Sequence, residues 1–221
     1  MESGLTRVLS KCCDESDGRL RGRPRCDERH KAILEAATSL FMERGFEGTS
    51  MDAIAKEAGV SKQTVYSHFS TKENLFSSAI THKMEDYFPQ GNFVIAEGGS
   101  LEEELTIVAS QYANLLMSKD AMSVFRLLVS EAPKGSHLAE IFWEAGPMVM
   151  LGRLVAFLKK WQKRGALKID DSEDAAKFII NLLKGHSHFE LSIGLIDKVS
   201  DEDLKASVKS SVAIFLKLYR A

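Results

Sequence analysis

After residue 26, apolar residues recur along this chain with a helical period almost everywhere. From Asp27, the positions Ile33, Ala36, Ala37, Leu40 and Phe41 fall at i, i+3, i+4, i+7 and i+8, a single stripe on a helix that Gly45 stops. Thr49 or Ser50 stands ready to cap a second helix, since either hydroxyl accepts an orphan backbone N–H. Met51, Ile54, Ala55 and Ala58 make that helix's stripe. Gly59 occupies the position where a helix turns left-handed, and Val60 can pack back beneath it. Ser61 caps a third helix at once, with Val65 and Phe69 as its inward pair. Ser70 or Thr71 opens a fourth. Ser70 with Glu73 reads as a capping box, and Leu75, Phe76, Ala79, Ile80 and Met84 line the helix as far as Pro89.

Residues 89–100, PQGNFVIAEGGS, read as a loop. Helical patterns follow at about 101–118, 120–131, 137–144, 147–164, 172–191 and 201–220. There is no strand-like alternation and no internal repeat, so the predicted class is all-α. The chain divides into a flexible basic arm (1–26), a three-helix helix-turn-helix domain (27–72) and a helical domain for ligand binding and dimerisation (73–221). The fourth helix belongs to both parts.

Two short helices joined by a tight glycine turn are the helix-turn-helix, whose second helix lies in the DNA major groove. With Val65 and Phe69 inward, helical geometry sends Gln63 and Ser67 to the opposite face, Thr64 and Tyr66 to its flanks and Lys62 to its exposed start. These side chains have base-reading chemistry. Glutamine pairs bidentately with adenine, lysine reaches guanine O6 and N7, and threonine touches a thymine methyl or a phosphate. Tyr66, His68 and Lys72 suit phosphates, as does the hydroxyl capping the second helix. His68 could instead pack or cap ahead of Phe69. The segment RLRGRPR, with Arg19, Arg21, Arg23 and Arg25 on alternate positions, reads as a non-helical arm. Such an arm either enters the neighbouring minor groove or adds only non-specific attraction.

The stretch TSMDAIAKEAGVSKQTVYSHFSTKENLF, with its ERGFEGTS lead-in, resembles the DNA-binding signature of TetR-family transcriptional regulators over about residues 28–80. The resemblance implies an all-helical homodimer, usually a repressor, whose C-terminal domain takes a small molecule that alters the spacing of two DNA-binding heads. By motif position, Thr49 or Ser50, Tyr66, His68 and Lys72 correspond to phosphate contacts, and Lys62, Gln63 and Thr64 to base readers. Gln63 stands where the family more often has glycine or another small residue. The segment FRLLVSEA…LAEIFWEAGP also resembles AefR-like C-terminal domains.

Composition narrows the classes. The chain has 221 residues, of which 44% are hydrophobic and 27% charged, with four prolines, as expected of a helical globular protein with a substantial core. The net charge of −2 hides the local basic patches. Cys12, Cys13 and Cys26 form an odd cluster near the start, which is no disulfide framework and implies a reducing compartment. No stretch is an uninterrupted apolar run of membrane length; Met148 to Trp161 is broken by Arg153, Lys159 and Lys160. With no apolar signal core at the N-terminus, a cytoplasmic protein without membrane partners is predicted. No phosphate-binding glycine loop, nucleophile elbow or metalloprotease motif is present, so no enzyme and no cofactor are predicted.

In the second half, Tyr112, Met117, Phe125, Phe142, Trp143, Met148 and Met150 are more aromatic and methionine content than a minimal core requires. Each could be plain core, but together they suggest a pocket for an apolar or aromatic effector. The last two helices carry wide apolar faces, with Phe178, Leu182, His186 and Phe189 on one and Val208, Val212 and Phe215 on the other, the predicted dimer interface. His186 and Glu190 share a helical face while His188 points elsewhere, and two ligands do not make a metal site.

Overall fold

A computed structural model of the protein describes residues 23–88 and 99–221, with side chains from residue 27 onward. Arg21, Cys12, Cys13, the Cys26 side chain and most of the 89–100 loop lie outside the described residues. Ten α-helices are present among the described residues, and the only β-type pairing among them is an isolated bridge between Leu167 and Arg220.

The chain separates into two units, one ending at His82 and the other starting at Lys83. The first holds α1 (Arg23–Arg44), α2 (Met51–Glu57), α3 (Lys62–His68) and most of α4 (Lys72–Tyr87). The division therefore falls inside α4, ten residues beyond its start. The early residues Leu75, Phe76, Ala79 and Ile80 are buried in the first unit's share of the helix. Met84, Tyr87 and Phe88 belong to the core of the second.

α1 begins at Arg23, not at Asp27. Pro24 sits in the first turn, where its missing N–H would have had no partner anyway, so it starts the helix rather than blocking it. Arg23 and Arg25 are therefore part of a helix and not of a free arm. Three phenylalanines lock α1, the turn after it and α4 together. Phe41 stacks on Phe46 at 5.5 Å, and Phe76 meets both edge-on at 5.4 and 5.6 Å. α4 starts one residue later than the capping-box reading implies. Its cap is Thr71, whose hydroxyl accepts from the Asn74 N–H at 3.1 Å, while Ser70 accepts from the Asn74 side chain at 2.7 Å.

The second unit adds α5 (Leu101–Leu116), α6 (Lys119–Glu131), a 3₁₀ turn (Ala132–Lys134), α7 (Leu138–Ala145), α8 (Pro147–Lys163), α9 (Ser172–Ser192) and α10 (Asp201–Tyr219). α10 packs along α5, and α9 against α8 and α10. Their shared core includes Leu105, Leu154, Phe157, Leu158, Ile179 and Phe215. Ser100 and Glu103 form a true capping box at the start of α5. α7 and α8 together, Leu138–Lys163, are 26 residues with the length and apolarity of a membrane span. Gly146 breaks the run, and Met150, Leu151, Leu154, Phe157, Leu158 and Trp161 of α8 are buried in the protein core.

α9 is not the uninterrupted helix its period predicts. Gly185 sits at φ 51°, ψ −159°, a region open essentially to glycine alone, and kinks the helix there.

Candidate nucleic-acid interface

The turn between α2 and α3 is built from local signals. Gly59 adopts φ +66°, the Val60 N–H donates to the Ala55 carbonyl at 3.0 Å, and the Gly59 N–H donates to that of Lys56 at 3.2 Å. A Cβ at Gly59 would meet nothing, so glycine serves the backbone angle and not a tight space. Ser50 caps α2 by accepting from the Ala53 N–H, and Ser61 caps α3 by accepting from the Thr64 N–H, each at 3.1 Å. Val65 is fully buried and Phe69 nearly so, which turns the opposite face of α3 to solvent.

Gln63, Tyr66 and Ser67 stand exposed on that face, with Lys62 at its start and Thr64 half-buried at its flank. Most of these side chains have partners in the free protein. The Thr64 hydroxyl shares a 2.8 Å hydrogen bond with Ser61, and that of Ser67 donates to the Thr64 carbonyl at 2.7 Å. The Lys62 ammonium meets both carboxylate oxygens of Asp52, at 2.8 and 2.9 Å. Asp52 is missing from the sequence-predicted set. It lies ten residues from Lys62, and only the turn brings the first turns of α2 and α3 side by side.

Thr49 does not join this surface. It is buried, and its hydroxyl is directed to the carbonyls of Leu40 (3.0 Å) and Gly45 (2.8 Å), stitching the end of α1 to the start of α2. Of the alternative caps, Ser50 alone is exposed. Lys72 is half-buried, with its ammonium donating to the Phe46 carbonyl at 2.9 Å and lying 4.3 Å above the Phe46 ring. It anchors α4 to the turn after α1 and keeps further ammonium protons for an anion.

His68 ends α3 half-buried, its ring 5.5 Å from His30 of α1, which in turn stacks on Phe69 at 5.0 Å. Burial lowers the His30 pKa below the ordinary 6.5, and the His68 and His82 charges lower it further against the opposing pull of Asp27. Burial and then Arg29 lower that of His68. Both rings therefore take up protons less readily folded than unfolded. Their contribution to stability is complete above pH 6.5 and is lost as pH falls from there through the folded values. Chemical denaturation of the first unit should show its midpoint falling between pH 7.5 and 5.5, with the fall reduced in His30→Gln. A midpoint indifferent to pH over that range would contradict this.

Residues 33–79 match the family model described as bacterial regulatory proteins, tetR family. Residues 103–221, more than half of the chain, match that of the AefR-like transcriptional repressor, C-terminal domain. The chain belongs to the TetR family of transcriptional regulators. The HTH-type transcriptional regulator YdeS of Bacillus subtilis is 31% identical over 158 residues, which cover 70% of this chain and 77% of YdeS. A TetR-family regulator from Mesorhizobium loti superposes with a TM-score of 0.76 at 28% identity, over 89% of this chain and 99% of that one. The flavonoid-responsive regulator FrrA superposes with a TM-score of 0.71 at 32% identity, over 88% and 98%. All three are regulators and none is an enzyme. This TetR-family member is accordingly a DNA-binding transcriptional regulator.

In its C-terminal unit, the seven residues proposed to line a pocket differ widely in burial. Tyr112 and Met150 are buried and joined, the phenol donating to the Met150 carbonyl, and burial pushes the phenol pKa up. Met117 and Phe142 are half-buried. Phe125, Trp143 and Met148 are exposed, Trp143 over 55% of its surface, beside a shallow open depression with Ala139, Glu140 and Glu144. Among the described residues, no group of three or more histidine, cysteine or acidic side chains is placed to hold a metal. His186 approaches Glu190 at 3.8 Å, while the His188 ring meets Phe125 edge-on at 5.7 Å.

The predicted interface residues divide the same way. Phe178 and Leu182 are half-buried, and His186 and Phe189 are exposed. Val208, Val212 and Phe215 are buried within their own chain and cannot meet a partner. They form the inner stripe of α10. The outer stripe carries Ala213, Ile214 and Leu218, with Ile214 and Leu218 exposed, and the sequence disguises it by mixing in Ser210 and Lys217.

Proposed function

We propose that this regulator is a homodimeric repressor that reads a two-fold-symmetric operator with α3 of each copy and is released by a small apolar or aromatic effector. The observation that carries the DNA reading is the solvent face of α3, where Gln63, Tyr66, Ser67 and Lys62 stand opposite a fully buried Val65. One short helix reads too few base pairs to bind tightly, and two copies placed about 34–36 Å apart on successive major grooves answer that need. Phe178, Leu182, His186 and Phe189 of α9 with Ile214 and Leu218 of α10 are the proposed partner surface. The proposed phosphate contacts are Ser50, Tyr66, His68 and Lys72, with Arg21, Arg23 and Arg25 near the minor groove. The repressor sense follows the AefR-like repressor domain. Its proposed location is the cytoplasm, where a bacterial-type regulator meets its operator.

Two observations bear on the effector. FrrA, similar in sequence and shape, is flavonoid-responsive by name. Gln111 Oε1 and Trp161 Nε1 are buried without a hydrogen-bond partner among the described residues, an acceptor and a donor in the C-terminal unit that a ligand with hydroxyl or carbonyl groups would satisfy. A second reading, a regulator without small-molecule control, is favoured by the commitment of the Tyr112 phenol to the Met150 carbonyl.

Fluorescence anisotropy with the DNA upstream of its own gene, repeated with a panel of flavonoids and fatty acids, tests the readings. Salt-sensitive binding that a panel member releases supports the first. Binding that none releases supports the second, and no specific binding at low salt overturns both. Ile214→Asp with Leu218→Asp should convert the dimer to monomer in sedimentation while leaving far-ultraviolet dichroism unchanged. A dimer that persists would overturn the proposed interface.

A further inference from the structure

Lys62 is not a free cation waiting for DNA. Its ammonium is held by both carboxylate oxygens of Asp52, at 2.8 and 2.9 Å, and lies 5.9 Å from the centre of the Tyr66 ring one turn along α3. Both partners of the ion pair are well exposed, so solvent screens it and it adds little to stability. Its effect is on where the lysine can go. A lysine on a four-carbon stem otherwise ranges over any phosphate within reach, and phosphate contacts strengthen binding to every sequence alike. An ammonium has three donors. One is given to Asp52 Oδ2, with Oδ1 adding a close ionic contact, and the others stay free.

We infer that Asp52 is a specificity-determining residue, which holds Lys62 away from the phosphate backbone and aims its remaining donors at a base edge. The carboxylate acts twice. It competes with phosphates for the ammonium, and its own charge opposes close approach of the backbone wherever Lys62 is not engaged by a base. Non-cognate DNA is disfavoured by both effects. On the operator, Lys62 can donate to guanine O6 or N7 without abandoning Asp52. This rests on the reading of α3 as the DNA-reading helix.

The test compares wild type, Asp52→Asn, Lys62→Gln and the double variant. The probes are a duplex selected from a random pool by the wild-type protein and a scrambled duplex of the same composition. In Asp52→Asn, affinity for the scrambled duplex should rise by up to about fivefold per head, with less gain on the selected one. The slope of log affinity against log salt on the scrambled duplex should steepen by about 0.9 per head as Lys62 finds a phosphate. Asp52→Asn also removes a favourable charge from the first turn of α2. The Lys62→Gln background controls for this, because the helix effect persists there while the change in discrimination and slope must vanish. Wild-type discrimination and slope in Asp52→Asn would overturn the inference alone. The same change with and without Lys62 would do so too. If the wild type selects no duplex over scrambled DNA, the reading of α3 falls and the inference with it.

Discussion

Gln63→Ala is expected to weaken operator binding by about 30-fold to 10⁴-fold while leaving affinity for scrambled DNA nearly unchanged. The range follows from about 1–3 kcal/mol of discrimination per bidentate side chain–base pair, counted once in each of two heads. Among the exposed residues of α3, Gln63 and Tyr66 have no hydrogen bond to give up, and of the two only Gln63 carries bidentate base-reading chemistry. Lys62 is paired with Asp52, Thr64 with Ser61, and Ser67 with the Thr64 carbonyl, whereas the Gln63 carboxamide has no hydrogen-bond partner among the described residues. It meets DNA without first breaking an intramolecular bond, so its whole contact is gained on binding. Its identity also departs from the glycine or small residue more frequent in the family at this position, so the base it reads should be particular to this chain. Anisotropy titrations of the two duplexes with wild type and variant decide the matter. Equal loss on both would reassign Gln63 to the phosphates.

The DNA-binding head is legible in the sequence because its determinants are local. Ser50, Gly59, Ser61, Val65 and Phe69 lie within 20 residues, and each has a short-range physical reason for its place, whether cap, left-handed turn or inward apolar position. The illegible parts are those settled by contacts between distant residues. Thr49 and Ser50 have the same capping chemistry, and what separates them is the pair of carbonyls at Leu40 and Gly45 that turns the Thr49 hydroxyl inward. Lys72 reads as a surface cation until the Phe46 carbonyl, 26 residues away, claims it. Asp52 is silent until the turn sets it against Lys62. In the C-terminal unit, periodicity reveals an apolar stripe on α10 but not its partner. Val208, Val212 and Phe215 face their own chain, and the thinner stripe with Ile214 and Leu218 faces out. Aromatic content is equally silent on convergence, which is why Tyr112 and Trp143 end in the core and on the surface.

Phe76→Ala is expected to abolish DNA binding without touching any residue of the DNA face. Phe76 is fully buried and meets Phe41 at 5.4 Å and Phe46 at 5.6 Å, so its removal empties the centre of the first unit. A buried phenylalanine cut back to alanine costs about 3–5 kcal/mol. A unit of this size holds only about 3–9 kcal/mol in total, because small domains bury a smaller share of their surface. The loss also propagates. Phe46 carries the carbonyl and the ring that hold Lys72, so α4 loses its anchor when Phe46 loses its neighbour. The C-terminal core, centred on residues such as Leu154, Phe157 and Phe215, contains none of these contacts. Thermal melting followed by circular dichroism should lose the transition of the head and keep that of the larger unit, with operator affinity gone at 37 °C. The methyl-for-ring contrast can be graded with Phe76→Leu, which refills most of the volume and should restore binding. Melting of Phe76→Ala identical to that of the wild type, with operator affinity intact, would show that the three phenylalanines are not what holds the head together.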